Sequence, residues 1–183
     1  MSLDDQVTAT QQVCNMHLRN LGRIASKLSH ELKVQLVQSC VLSSIDYCNA
    51  TYGSLTEANL QKLQKIQNSA VRFIFSLYGK NKYQAIVPLM KKLHFLPVRF
   101  RIKYKVALLV FKCLNNIAPT YLASLLVLGD ANSHSLRIDN DFFLLQNPSQ
   151  PQFKRTEGAF CYIGPKTWNE LPYSLRCFSE IDI

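Results

Sequence analysis

Twelve Lys or Arg side chains fall between residues 58 and 127, and no Asp or Glu interrupts them. Residues 1–57 hold 4 basic and 5 acidic groups, and residues 128–183 hold 5 and 7, so the whole net charge of +9 resides in the middle block. A one-signed field of that size draws polyanions and speeds their encounter. The candidate phosphate ligands are Lys62, Lys65, Arg72, Lys80, Lys82, Lys91, Lys92, Arg99, Arg101, Lys103 and Lys105, with Lys112 as the twelfth cation. Ordinary helix faces mix the two signs, and seventy residues without an acid do not. Aromatic residues, Phe73, Phe75, Tyr78, Tyr83, Phe95, Phe100 and Tyr104 among them, are interleaved with the charges. Most are expected in the core, although an outward ring can stack on an unpaired base.

Other chemistries find little support. The adjacent carboxylates Asp4 and Asp5 lie at the head of a helical pattern, where they suit the helix dipole better than a pair of metal ions. The six cysteines (14, 40, 48, 113, 161, 177) and four histidines (17, 30, 94, 134) show no zinc-ligand spacing, and buried free thiols are expected. Neither G-x-x-x-x-G-K-[ST] nor G-x-G-x-x-G nor G-x-S-x-G occurs. No cofactor, metal or catalytic residue is expected, and the chain is read as non-enzymatic. Residues 1–6 carry neither a basic nor an apolar signal region, and no apolar run approaches the roughly 20 residues of a membrane span. The expectation is an intracellular protein, cytoplasmic or nuclear, with no membrane partner.

Positioning these cations requires helices. Hydrophobic content of 48% with 18% charged residues allows a folded core. Val7, Cys14, Leu18, Leu21, Ala25 and Leu28 form one apolar stripe at helical spacing. Ser29 is placed to cap a second helix, with Leu32, Leu36, Val37, Cys40, Val41 and Ser44 facing inward. Ser54-x-x-Glu57 reads as a capping box opening a third. Along it Leu60, Leu63, Ile66, Ala70, Phe73, Ile74 and Leu77 gather on one side. Lys62, Lys65 and Arg72 fall within about 80° of one another on the opposite side. Changing these three to Glu together should weaken binding and spare the fold. A short helix is expected at 88–93. Residues 98–106 alternate strictly, as a half-buried strand would, yet Val98, Ile102, Val106, Leu109 and Cys113 make an unbroken helical stripe through 115, and helix is preferred. Pro119 opens another short helix. Beyond Gly129 the chain turns polar, with stretches at 142–146 and 159–163 reading as strands. Trp168, Leu171 and Pro172 read as an apolar knot without helical period. The fold class is therefore mainly α, a helical bundle over 1–127 containing the basic block 58–127. An irregular C-terminal appendage over 128–183 has room for a β-hairpin.

Eight motifs in order resemble the region that follows the polymerase palm in reverse transcriptases of non-LTR (LINE, jockey-like) retrotransposons. They are Leu3-Asp4-Asp5-Gln6, His17-Leu18-Arg19-Asn20, Ile45-Asp46-Tyr47-Cys48-Asn49-Ala50 and Leu63-Gln64-Lys65-Ile66-Gln67-Asn68-Ser69-Ala70-Val71-Arg72, followed by Leu93-His94-Phe95-Leu96-Pro97-Val98, Arg101-Ile102-Lys103, Ala118-Pro119-Thr120-Tyr121-Leu122 and Gly164-Pro165-Lys166-Thr167-Trp168-Asn169-Glu170-Leu171-Pro172. The resemblance implies a thumb-like helical region to about residue 127 that grips a template–primer. The catalytic Asp pair and the endonuclease would lie in other parts of the parent RNA-directed DNA polymerase. Phe95 stands where many relatives carry Trp, residues 146–152 lack basic groups common there, and the final amphipathic helix has no counterpart, so the appendage reads as truncated. The partners implied are RNA or an RNA–DNA hybrid and the parent's own palm. The competing readings are a helical protein–protein interaction module and a decayed-element relic without selected activity.

Overall fold

The computed structural model describes residues 3–77, 84–128, 144–146 and 159–176. Among them are nine α-helices and no strand: α1 (Leu3–Ile24), α2 (His30–Val37), α3 (Ser43–Asp46), α4 (Glu57–Ile74), α5 (Ile86–Lys92), α6 (Val98–Leu114), α7 (Thr120–Ala123), α8 (Phe160–Asn169) and α9 (Tyr173–Arg176). The mainly helical fold class holds, and 98–106 is helix. The chain divides into two units, Met1–Ile102 and Lys103–Ile183. The division falls inside α6, whereas the sequence boundary at 127 follows the change in composition.

In the first unit α1 packs along α4, and α2 and α5 also pack on α4. Its core joins Val7, Cys14 and Leu21 of α1 to Leu63, Ile66, Ala70, Val71, Phe73 and Ile74 of α4, with Val37, Val41, Leu42, Ile45, Leu89, Met90, Phe95, Val98 and Ile102 around them. A π-turn at Gln38–Leu42 links α2 to α3. Its extra residue shifts the helical phase and lets the adjacent Val41 and Leu42 both be buried. Asp4 acts as a clamp, because its Oδ1 accepts a hydrogen bond from the buried Asn59 Nδ2 of α4.

Three local expectations are corrected here. Ser29 caps α2 through Leu32 N at 3.3 Å, as expected, but Ser54 does not cap α4. A 3₁₀ turn over Asn49–Ser54 consumes Ser54, and Thr56 Oγ1 accepts from Asn59 N instead. Leu32 is exposed and its neighbour Lys33 is buried. Lys33 Nζ donates to Ser76 Oγ at 2.7 Å and lies 5.9 Å from the Phe73 ring centroid, at the negative C-terminal end of α4. Cys48 is exposed, with φ 51°, so the expectation of buried thiols fails there. The five described cysteines are all free. Burial pushes the Cys14 thiol up to about 11, and its Sγ lies 3.6 Å from the Val41 carbonyl oxygen.

The second unit has its own small core of Val110, Leu145 and Trp168, flanked by Phe111, Leu114, Leu126, Phe160 and Leu171. Residues 159–163, expected as a strand, lead into and begin α8, and Trp168 belongs to that helix rather than to an aperiodic knot. Gly164 and Pro165 are both buried within it. A Cβ on Gly164 would meet Val110 Cγ2 at 3.2 Å, so glycine is what permits the close approach. Of the stretch 142–146, the described residues 144–146 form only a single antiparallel bridge, Leu128 to Leu145. The Asn169 side chain clasps Leu145 from the other side. Its Oδ1 accepts from Leu145 N at 3.0 Å and its Nδ2 donates to Leu145 O at 2.9 Å, the pairing a second strand would supply.

Candidate nucleic-acid interface

The helix α4 separates its groups as its pattern requires. Leu63, Ile66, Ala70, Phe73 and Ile74 are buried, while Lys62 and Lys65 are exposed one turn apart. Lys91 and Lys92 are exposed in the last turn of α5, and Lys105 and Lys112 are exposed on α6. None of these six lysines makes an ion pair among the described residues. Arg72 is half-buried near the end of α4 and is a poorer candidate than its position on the helical wheel suggests. Lys80 and Lys82 lie outside the described residues, as do Tyr78 and Tyr83.

The remaining candidates meet acids from the flanks. Arg99 pairs with Glu57, the first residue of α4, and both side chains are more than half exposed. Lys103 pairs with Glu170 of α8 at 2.7 Å, again exposed. Pairs of this kind contribute about 0–1 kcal/mol and exchange readily for a phosphate. Arg101 differs. It is 21% exposed, Asp46 is 26% exposed, and the guanidinium holds both carboxylate oxygens, with Nε at 2.9 Å from Oδ1. Asn49 Nδ2 donates to the same Oδ1 at 3.1 Å. This arrangement fastens α6 to the end of α3, and Arg101 is removed from the set of phosphate ligands.

The block is thus free of carboxylates along the chain but not in space. Nothing local in the sequence signals which acids fold back onto it. Replacing Arg101 by Met should cost about 2 kcal/mol of stability, since Asp46 is left half-buried with only Asn49 to serve it. Urea denaturation measures that loss, and affinity for an RNA–DNA hybrid should stay within about twofold. A tenfold fall in affinity would return Arg101 to the interface.

Two motif glutamines also prove structural. Gln67 is fully buried and donates from Nε2 to the Leu96 carbonyl at 2.8 Å. Gln64 Nε2 donates to Gln67 Oε1 at 3.0 Å, and Gln64 Oε1 accepts from Val98 N, also at 3.0 Å. Together they satisfy backbone groups on both sides of Pro97, where α6 starts. Of the interleaved aromatics, Phe73 and Phe95 are core, Phe75 is half-buried 5.3 Å from the His30 ring, and Phe100 and Tyr104 are exposed.

No three His, Cys, Asp or Glu side chains gather as a metal ion would need, among the described residues. No described helix is long and apolar enough to cross a membrane. Comparison with known protein families, curated proteins and solved structures finds no match.

Proposed function

We propose that this chain is a non-catalytic, backbone-binding part of a retrotransposon RNA-directed DNA polymerase, holding RNA or an RNA–DNA hybrid in the cytoplasm or nucleus. The observation that carries the reading is the exposed Lys62 and Lys65, without an ion pair among the described residues, on the side of α4 opposite its core, with Lys91 and Lys92 exposed on the packed neighbour α5. Point charges on a rigid helix neutralise phosphates without regard to sequence, which suits a polymerase thumb that must hold every template. The ordered motifs agree with that role, and the palm of the same parent protein would supply the metal chemistry.

Titration of the chain with an RNA–DNA hybrid at about 50 and about 200 mM salt tests the proposal. With about six phosphates engaged, affinity should fall roughly 10³-fold across that interval.

A second reading, a helical module that docks another protein or the palm, is favoured by one feature. Val13, Met16 and Ile24 are exposed on α1, away from its buried stripe. Absence of any binding to the hybrid at the lower salt would select it.

A further inference from the structure

We infer that α6 carries a stacking platform for unpaired bases, so that the nucleic acid held includes a single-stranded stretch; the inference rests on the backbone-binding function proposed above. The strict alternation Arg99-Phe100-Arg101-Ile102-Lys103-Tyr104-Lys105 takes on a different meaning once it is wound into a helix. Phe100 and Tyr104 then stand four residues apart, within about 40° of each other around the axis. Both point away from the buried stripe of Val98, Ile102 and Val106, and they are 54% and 57% exposed.

Exposing two large rings on one helix face runs against burial, and neither ring has an aromatic or cationic partner among the described contacts. Each ring sits between two cations, at about 100° to either side. Arg99 and Lys103 line one edge through exposed ion pairs that yield easily, and Lys105 on the other edge makes no ion pair among the described residues. Arg101 is held by Asp46 and takes no part.

Charge complementarity selects a polyanion, and spacing selects its form. Four residues of helix advance about 6 Å, while stacked bases in a duplex advance about 3.4 Å per strand. Two rings at the wider spacing each receive the face of a base only if the strand is unstacked and extended. A duplex covers those faces with its own neighbours.

The test compares wild type with the double variant Phe100→Leu/Tyr104→Leu, which keeps apolar bulk and every charge. The probes are an unstructured oligouridine and a blunt RNA–DNA hybrid of equal length. Expected is a loss of about 30-fold or more on the oligouridine, a change within about twofold on the hybrid, and an unaltered salt slope. A variant that binds oligouridine within about threefold of wild type, or loses equally on both probes, overturns the platform and leaves backbone binding standing. Wild type that binds neither probe at about 50 mM salt overturns the proposed function and the platform with it. A Phe100→Trp chain gives an independent reading. Its indole emission should be quenched by oligouridine and not by the hybrid, and equal quenching by both counts against the platform.

Discussion

A chain carrying Lys62→Glu and Lys65→Glu is expected to bind an RNA–DNA hybrid about 100-fold more weakly than wild type at about 50 mM salt, with its thermal midpoint unchanged. Each lysine that neutralises a phosphate releases a counterion. At that salt the release is worth roughly a factor of ten per contact, so two contacts account for the fall before any repulsion is counted. Both side chains are exposed and make no ion pair among the described residues, so replacing them touches no packing. Surface changes of this sort stay within about 0.5 kcal/mol. Arg72 is left in place on purpose. The sequence groups it with the two lysines and expects the triple change to spare the fold; that expectation is corrected here, because the Arg72 side chain is half-buried. Adding Arg72→Glu would mix a folding defect into the binding result. Affinity measured by fluorescence anisotropy, beside a melting curve, checks both halves of the expectation.

Replacing Gln67 by Leu should lower stability by about 3 kcal/mol, although the residue is fully buried and the replacement is apolar. The change strips the Leu96 carbonyl of its donor and leaves one Gln64 amide hydrogen without the Gln67 acceptor. Each abandoned group costs about 1–3 kcal/mol when it stays out of water. For a chain of this length that is a fall of about 6–12 °C in the melting temperature. The effect should also reach α6, because Gln64 positions the first N–H of that helix at Val98. A variant melting within about 2 °C of wild type would show that the glutamine pair adds nothing to the joint at Pro97.

Apolar periodicity was enough to read α1 and α4, because in each a stripe runs at helical spacing, and in α4 it faces away from the lysines. It also decided α6, where alternation of charged and apolar residues imitates a strand, and the stripe from Val98 to Cys113 outlasts the alternation. What escaped was set by contacts distant along the chain. Nothing near Asp46, Glu57 or Glu170 announces that these acids fold back onto Arg101, Arg99 and Lys103. Lys33 is buried because the end of α4 accepts a cation there, which the pattern of α2 alone cannot convey. The run 159–163 has the aromatic and apolar character of a strand and ends at Gly164-Pro165. Only the approach of Val110 explains why that glycine sits inside a helix. Of the candidate site, the exposure of Lys62 and Lys65 was legible from helix phase, and the engagement of Arg101 was not.

The most direct test of the central claim, that these particular lysines meet phosphates, is lysine acetylation read by mass spectrometry with and without a saturating RNA–DNA hybrid. Lys62, Lys65, Lys91 and Lys92 should be modified in the free chain and protected in the complex. Exposed Lys27 of the turn after α1 should react equally in both, and buried Lys33 in neither. A complex that forms while all four of those lysines remain as reactive as in the free chain would contradict the account.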